Sequence, residues 1–190
     1  EPLLDQEGLV SLIADINTYA VSADRDLTWT VETNGSITPG NTLLEMVDLW
    51  SVSPKLSSST PAAKDLKKYG LTTAAAEKHE SSRINLHALS TIILFGHDLQ
   101  LKFVYAGPES EQEIKSLARD IQDCLDAAYE QGQGLIDHEE VNRYIMLMPE
   151  GITSKAILGK SDECVQACIR NGWTFTSRMH ILIWGNVKEK

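Results

Sequence analysis

The sequence predicts an α/β fold in which βαβ units build a largely parallel sheet. Three observations predict it. Short strand-like runs alternate with longer stretches of helical periodicity, each strand-like run closes in a turn signal, and neither a repeat nor a long linker interrupts the alternation. Right-handed crossovers would then give a sheet closed, or partly closed, as in a barrel. At 190 residues the chain is expected to be a single α/β domain, 1–190, with a full core.

The elements follow in order. Leu9, Leu12, Ile13, Ile16 and Ala20 recur at helical spacing, and Asp5 is placed to cap that helix. Glu1-Pro2-Leu3-Leu4 then reads as the end of a strand-to-helix loop whose strand is absent, so an N-terminal segment is expected to be missing. Residues 27–33 alternate Leu27, Trp29 and Val31 against Thr28, Thr30 and Glu32 and stop at Asn34-Gly35, a strand and its turn. A second strand is expected over 46–52, apolar enough to be buried on both faces, ending at Ser53-Pro54-Lys55. A helix is predicted over about 74–97 and a third strand over 99–106. Ser110 to Glu113 reads as a capping box for a helix facing the core with Ile114, Leu117, Ile121, Leu125 and Ala128. A second capping box is expected at 137–140, a fourth strand at 144–148, and a helix from about Ser154 to a C-cap at Asn171-Gly172. Residues 174–184 read as a last strand or extended segment.

Composition narrows the function classes. A net charge of −10 and no basic run longer than Lys67-Lys68 argue against a nucleic-acid partner. No apolar run approaches the roughly 18 residues of a membrane span. The start shows no basic and then apolar leader, and three cysteines without framework spacing suit a reducing compartment, so a cytoplasmic protein is expected.

Three predicted strand ends carry polar clusters: Glu32-Thr33-Asn34-Gly35, Ser53-Pro54-Lys55 and Pro149-Glu150-Gly151. Together they offer acceptors for ribose hydroxyls, an ammonium and a hydroxyl for a carboxylate, and backbone groups for a base edge. Taken singly, each is also an ordinary polar loop. Lys102 sits mid-strand, either snorkelling on a solvent face or pointing into that rim. Arg178 and His180 share a face if their segment is extended, as ligand contacts or as two exposed residues. Cys164 and Cys168, four apart on a helix, read as small buried hydrophobes, since no further Cys or His completes a ligand set. There is no HExxH, GxSxG, Walker loop or GxGxxG motif.

The run Glu32-Thr33-Asn34-Gly35, Ser53-Pro54-Lys55-Leu56-Ser57, Leu101-Lys102-Phe103-Val104, Met148-Pro149-Glu150-Gly151 and the ending Arg178, His180, Trp184-Gly185 resembles, in order and spacing, the 7-carboxy-7-deazaguanine synthases of the radical S-adenosylmethionine superfamily. Glu1-Pro2 is similar to the second half of that family's Gly-Gly-Glu-Pro motif. The resemblance implies a partial, modified (β/α) barrel of the radical S-adenosylmethionine type. It implies that Glu1 meets the cofactor's amino group, Glu32 its ribose or amino group, and Ser53 and Lys55 its carboxylate. Asn34, Met148, Pro149 and Glu150 would border cofactor or substrate, and Arg178 and His180 would contact a pterin substrate. The family chemistry is reductive cleavage of S-adenosylmethionine by a 4Fe–4S cluster, and conversion of 6-carboxy-5,6,7,8-tetrahydropterin to 7-carboxy-7-deazaguanine, assisted by Mg2+. An electron donor such as flavodoxin and a homodimer are also implied. The family's CxxxCxxC cluster loop is not in this sequence, so the chain is expected to be inactive as it stands. A cluster-less paralogue binding a nucleoside or pterin, or another radical enzyme such as an activase, would share much of the same pattern.

Overall fold

The computed structural model describes residues 1–132 and 141–187, so the capping box expected at 137–140 lies outside the described residues. Among the described residues five strands, Thr30–Thr33 (β1), Leu49–Val52 (β2), Asp98–Tyr105 (β3), Ile145–Pro149 (β4) and Thr174–Phe175 (β5), form one sheet in sequential order. Every neighbouring pair is parallel. Sequential parallel order with right-handed crossovers places the connecting helices on one face and leaves the other for a ligand. This is the mixed α/β architecture that the alternation predicts, an open parallel sheet of the partial (β/α) type.

The strands show how the faces divide. Along β3, Leu99, Leu101, Phe103 and Tyr105 are buried while Gln100, Lys102 and Val104 are half-buried. In β4, Ile145 and Leu147 are buried between half-buried Met146 and Met148. Helices Pro108–Glu130 (the fifth α-helix, below α5) and Ser154–Asn171 (α6) pack on β3 and β4 respectively. Ile114, Leu117, Ile121 and Leu125 of α5 enter the core as their spacing predicts, while Ala128 of the same predicted stripe is only half-buried. Cys164 and Cys168 of α6 are fully buried there.

Local signals fix several boundaries. Asp5 caps helix Gln6–Ser22 (α1), accepting from the Gly8 amide at 3.0 Å. On the predicted face Ile13 and Ala20 are buried, but Leu12 and Ile16 are exposed. Gly172, in the left-handed region at φ 69°, ends α6 where Asn171-Gly172 predicts.

Five expectations need correction. Met46 belongs to helix Asn41–Met46 (α2), not to β2, because Leu43 and Leu44 of that helix turn into the core. The helix expected over 74–97 is two, Thr73–Ser82 (α3) and Leu86–Phe95 (α4), because Asn85 caps the second by accepting from the Ala88 amide. Ser110 and Glu113 form no capping box: α5 starts at Pro108, Ser110 Oγ accepts from the Ala106 amide, and Glu113 reaches Ser57. Strand β1 starts at Thr30, leaving Leu27 exposed. The last segment is extended only over Thr174–Phe175 and then coils into helix Met179–Trp184 (α7), whose Ile181 docks in the core.

Candidate functional site

The carboxyl ends of β1 to β4 surround two cavities that share Ser53 and Lys55. Parallel sheets bind ligands at these ends because the βα loops converge there. The first cavity, about 380 Å³, is lined by Glu1, Glu32, Thr33, Asn34, Ser51, Ser53, Lys55, Lys102 and Met148. The second, about 640 Å³, runs from the 53–59 loop to Val104, Glu150, Gly151, Ile152, Ala156, Lys160 and Arg178.

Register explains the first cavity. Glu32 pairs with Ser51, and Ser51 with Gln100, so these residues share the ligand-side face. Two residues on, Lys102 falls on the same face and lines the cavity, which decides the alternative its period-2 position left open. The Glu1 carboxylate bridges to the end of β1, accepting from the Thr33 hydroxyl at 2.7 Å and the Asn34 amide at 2.9 Å. The Asn34 side-chain oxygen is turned onto its own loop, accepting from the Ser36 amide at 2.8 Å. Gly35 lets the chain leave β1 at φ +72°, with Leu89 and Val52 filling the space a side chain would need.

The second cavity is the more cationic. Lys55 is half-buried, its ammonium 3.4 Å from the Ser53 hydroxyl. Among the described residues it has no carboxylate within ion-pair distance. Burial first, and then the Arg178 guanidinium, push its pKa below the ordinary lysine value, while Glu1 draws it up. Arg178 precedes α7 and is fixed by donating to Met148 Sδ at 3.1 Å and to the Gly151 carbonyl at 3.0 Å. Glu150 pairs with Lys160 at the mouth. Two cations without carboxylate partners among the described residues, beside a hydroxyl and an apolar wall, suit an anionic group on a mixed ligand.

Of the ten residues the sequence singles out, eight line these cavities: Glu1, Glu32, Asn34, Ser53, Lys55, Met148, Glu150 and Arg178. Pro149 is buried at the end of β4, and His180 lies exposed in the first turn of α7; neither lines either cavity. Ser51 and Lys160 also contribute, although sequence reasoning passed them over. The alternation Glu32/Ser51 across β1 and β2 would have pointed to Ser51 once the strands were paired. Lys160, ten residues after Glu150, is brought back only by the turn into α6.

No family model matches the chain, and no solved structure gives a significant match. Two curated proteins do. The 7-carboxy-7-deazaguanine synthase of Halobacterium salinarum is 33% identical over 191 residues, covering 100% of this chain and 64% of that protein. The 7-carboxy-7-deazaguanine synthase of Rhodopirellula baltica is 30% identical over 186 residues, covering 98% of this chain and 59% of that protein. This chain thus spans less than two thirds of the length of the relatives it matches. Along its whole length it is a sequence relative of the 7-carboxy-7-deazaguanine synthases.

Proposed function

We propose that this chain is the cofactor- and substrate-binding part of a 7-carboxy-7-deazaguanine synthase. The observation that supports it most is the meeting of Glu1, Glu32, Ser53, Lys55 and Arg178, from five separate chain positions, around two joined cavities at the strand ends. These residues suit S-adenosylmethionine. Ser53 and Lys55 supply a hydroxyl and a cation for its carboxylate, Glu32 supplies acceptors for ribose hydroxyls, and Met148 gives an apolar surface. Glu1 adds an acceptor for its amino group. Arg178, in the second cavity, suits the carboxylate of a pterin acid.

When bound with a reduced cluster, S-adenosylmethionine supplies the radical chemistry; this chain's residues bind, orient and shield. The described residues do not fit the cluster itself. No group of three His, Cys, Asp or Glu among them is placed to hold a metal ion, and burial pushes the Cys164 thiol up to about 12 and raises that of Cys168. An electron donor such as flavodoxin, a homodimer and a cytoplasmic setting belong to the same proposal. Among the described residues no helix is long and apolar enough to cross a membrane.

The test is turnover by the full-length polypeptide, reconstituted with iron and sulfide and supplied with reductant, S-adenosylmethionine, Mg2+ and 6-carboxytetrahydropterin. The expected products are 5′-deoxyadenosine and 7-carboxy-7-deazaguanine. Cofactor cleavage without the deazaguanine would assign a different radical enzyme; binding without cleavage would assign a binding module.

A further inference from the structure

The loop that carries Ser53 and Lys55 into both cavities has little structure of its own, a single 3-10 turn over Ser57–Ser59. It is held from outside by side chains that line neither cavity. Arg83, at the end of α3 and 14% exposed, donates to the Lys55 carbonyl at 2.9 Å. Its guanidinium also pairs with Glu113 of α5 at 2.8 Å and with Glu80 at 2.8 Å. Both carboxylates then return to the loop. Glu113 accepts from the Ser57 amide at 2.9 Å and hydroxyl at 2.7 Å, and Glu80 accepts from the Thr60 hydroxyl at 2.6 Å. One planar cation thus ties the backbone of Lys55, α3 and α5 into a single frame, a task for a fork of fixed donors rather than a point charge.

We infer that Arg83 is a positioning residue: its hold on the Lys55 carbonyl sets where the Lys55 ammonium stands, and so sets selection for a ligand carboxylate. Lys55 is half-buried and unpaired among the described residues, so only the loop backbone and Ser53 fix its head. A displacement near 1 Å at such a group is enough to lose a charge-assisted contact. The inference rests on the proposed reading that Lys55 receives the carboxylate of S-adenosylmethionine.

Equilibrium binding of S-adenosylmethionine and of its decarboxylated analogue to the full-length polypeptide tests it. Wild type, Lys55→Ala, Arg83→Lys and Arg83→Gln are compared. Wild type should prefer the carboxylate-bearing ligand by about tenfold to a hundredfold, the span of one charge-assisted hydrogen bond. Lys55→Ala should cut that preference about tenfold or more, and both Arg83 variants should bring it close to the Lys55→Ala value while binding the decarboxylated analogue as wild type does. If Lys55→Ala keeps the preference, the reading of Lys55 fails. If Lys55→Ala loses it and the Arg83 variants keep it, or weaken both ligands equally, the positioning role is overturned. Should Arg83→Gln fail to fold, Arg83→Lys, which keeps the charge and the stem but not the fork, decides the matter.

Discussion

Two charged residues of this chain meet burial in opposite ways. Lys55 is half-buried with no carboxylate partner among the described residues, an arrangement that burdens the fold and suits a ligand. Lys55→Met should therefore leave thermal stability unchanged or raise it, while weakening S-adenosylmethionine binding about tenfold or more. A fall in melting temperature would show that Lys55 serves the fold. Glu111 is buried too, and burial alone would raise its pKa. Asn171, Arg170 and Lys115 outweigh that and hold it down at about 2. Because the folded value lies below the unfolded one, its contribution is present above about 4.5 and is lost as pH falls toward 2. Denaturant titrations should give Glu111→Gln a deficit of about 1–3 kcal/mol at pH 7 that shrinks across that window; a deficit independent of pH would refute the charged clamp.

At the scale of elements, the sequence was most legible where capping chemistry and periodicity agree. Asp5, the α5 core stripe and the Gly172 cap lie where they were expected, because each is decided by residues within a few positions. The failures share a cause. Residues 179–184 carry apolar side chains that suit a strand, but Ile181 reaches the core from a single helical turn after β5 ends. The break before α4 depends on Asn85, whose amide also reaches the Ser36 carbonyl across the fold. The role of Arg83 was not legible, since beyond its local pair with Glu80 its partners come from residues 55 and 113. The buried cysteines of α6 offer a direct check: a thiol reagent should modify Cys124 in the native protein, while Cys164 and Cys168 react only on unfolding. Fast native labelling of all three would contradict the packing of α6. At the end of β1, Gly35→Ala would strain a φ of +72° and bring a methyl to 2.7 Å from Leu89. It should cost about 2–4 kcal/mol in chemical denaturation.

For the whole molecule, sequential parallel order is what turns scattered sequence clusters into a site. Residues as far apart as Glu1 and Arg178 line neighbouring cavities because each follows or faces the same end of the sheet. That convergence was readable from the polar strand ends, whereas the division into two cavities sharing Lys55 needed the register and the turn into α7. The proposed function has these strand ends hold S-adenosylmethionine by its amino-acid end. A crystal structure of the full-length polypeptide with S-adenosylmethionine tests it most directly. The ligand carboxylate should stand within hydrogen-bond distance of Lys55 Nζ and Ser53 Oγ, with the ribose facing Glu32; ligand density away from these residues, with the two cavities empty, would overturn the proposal.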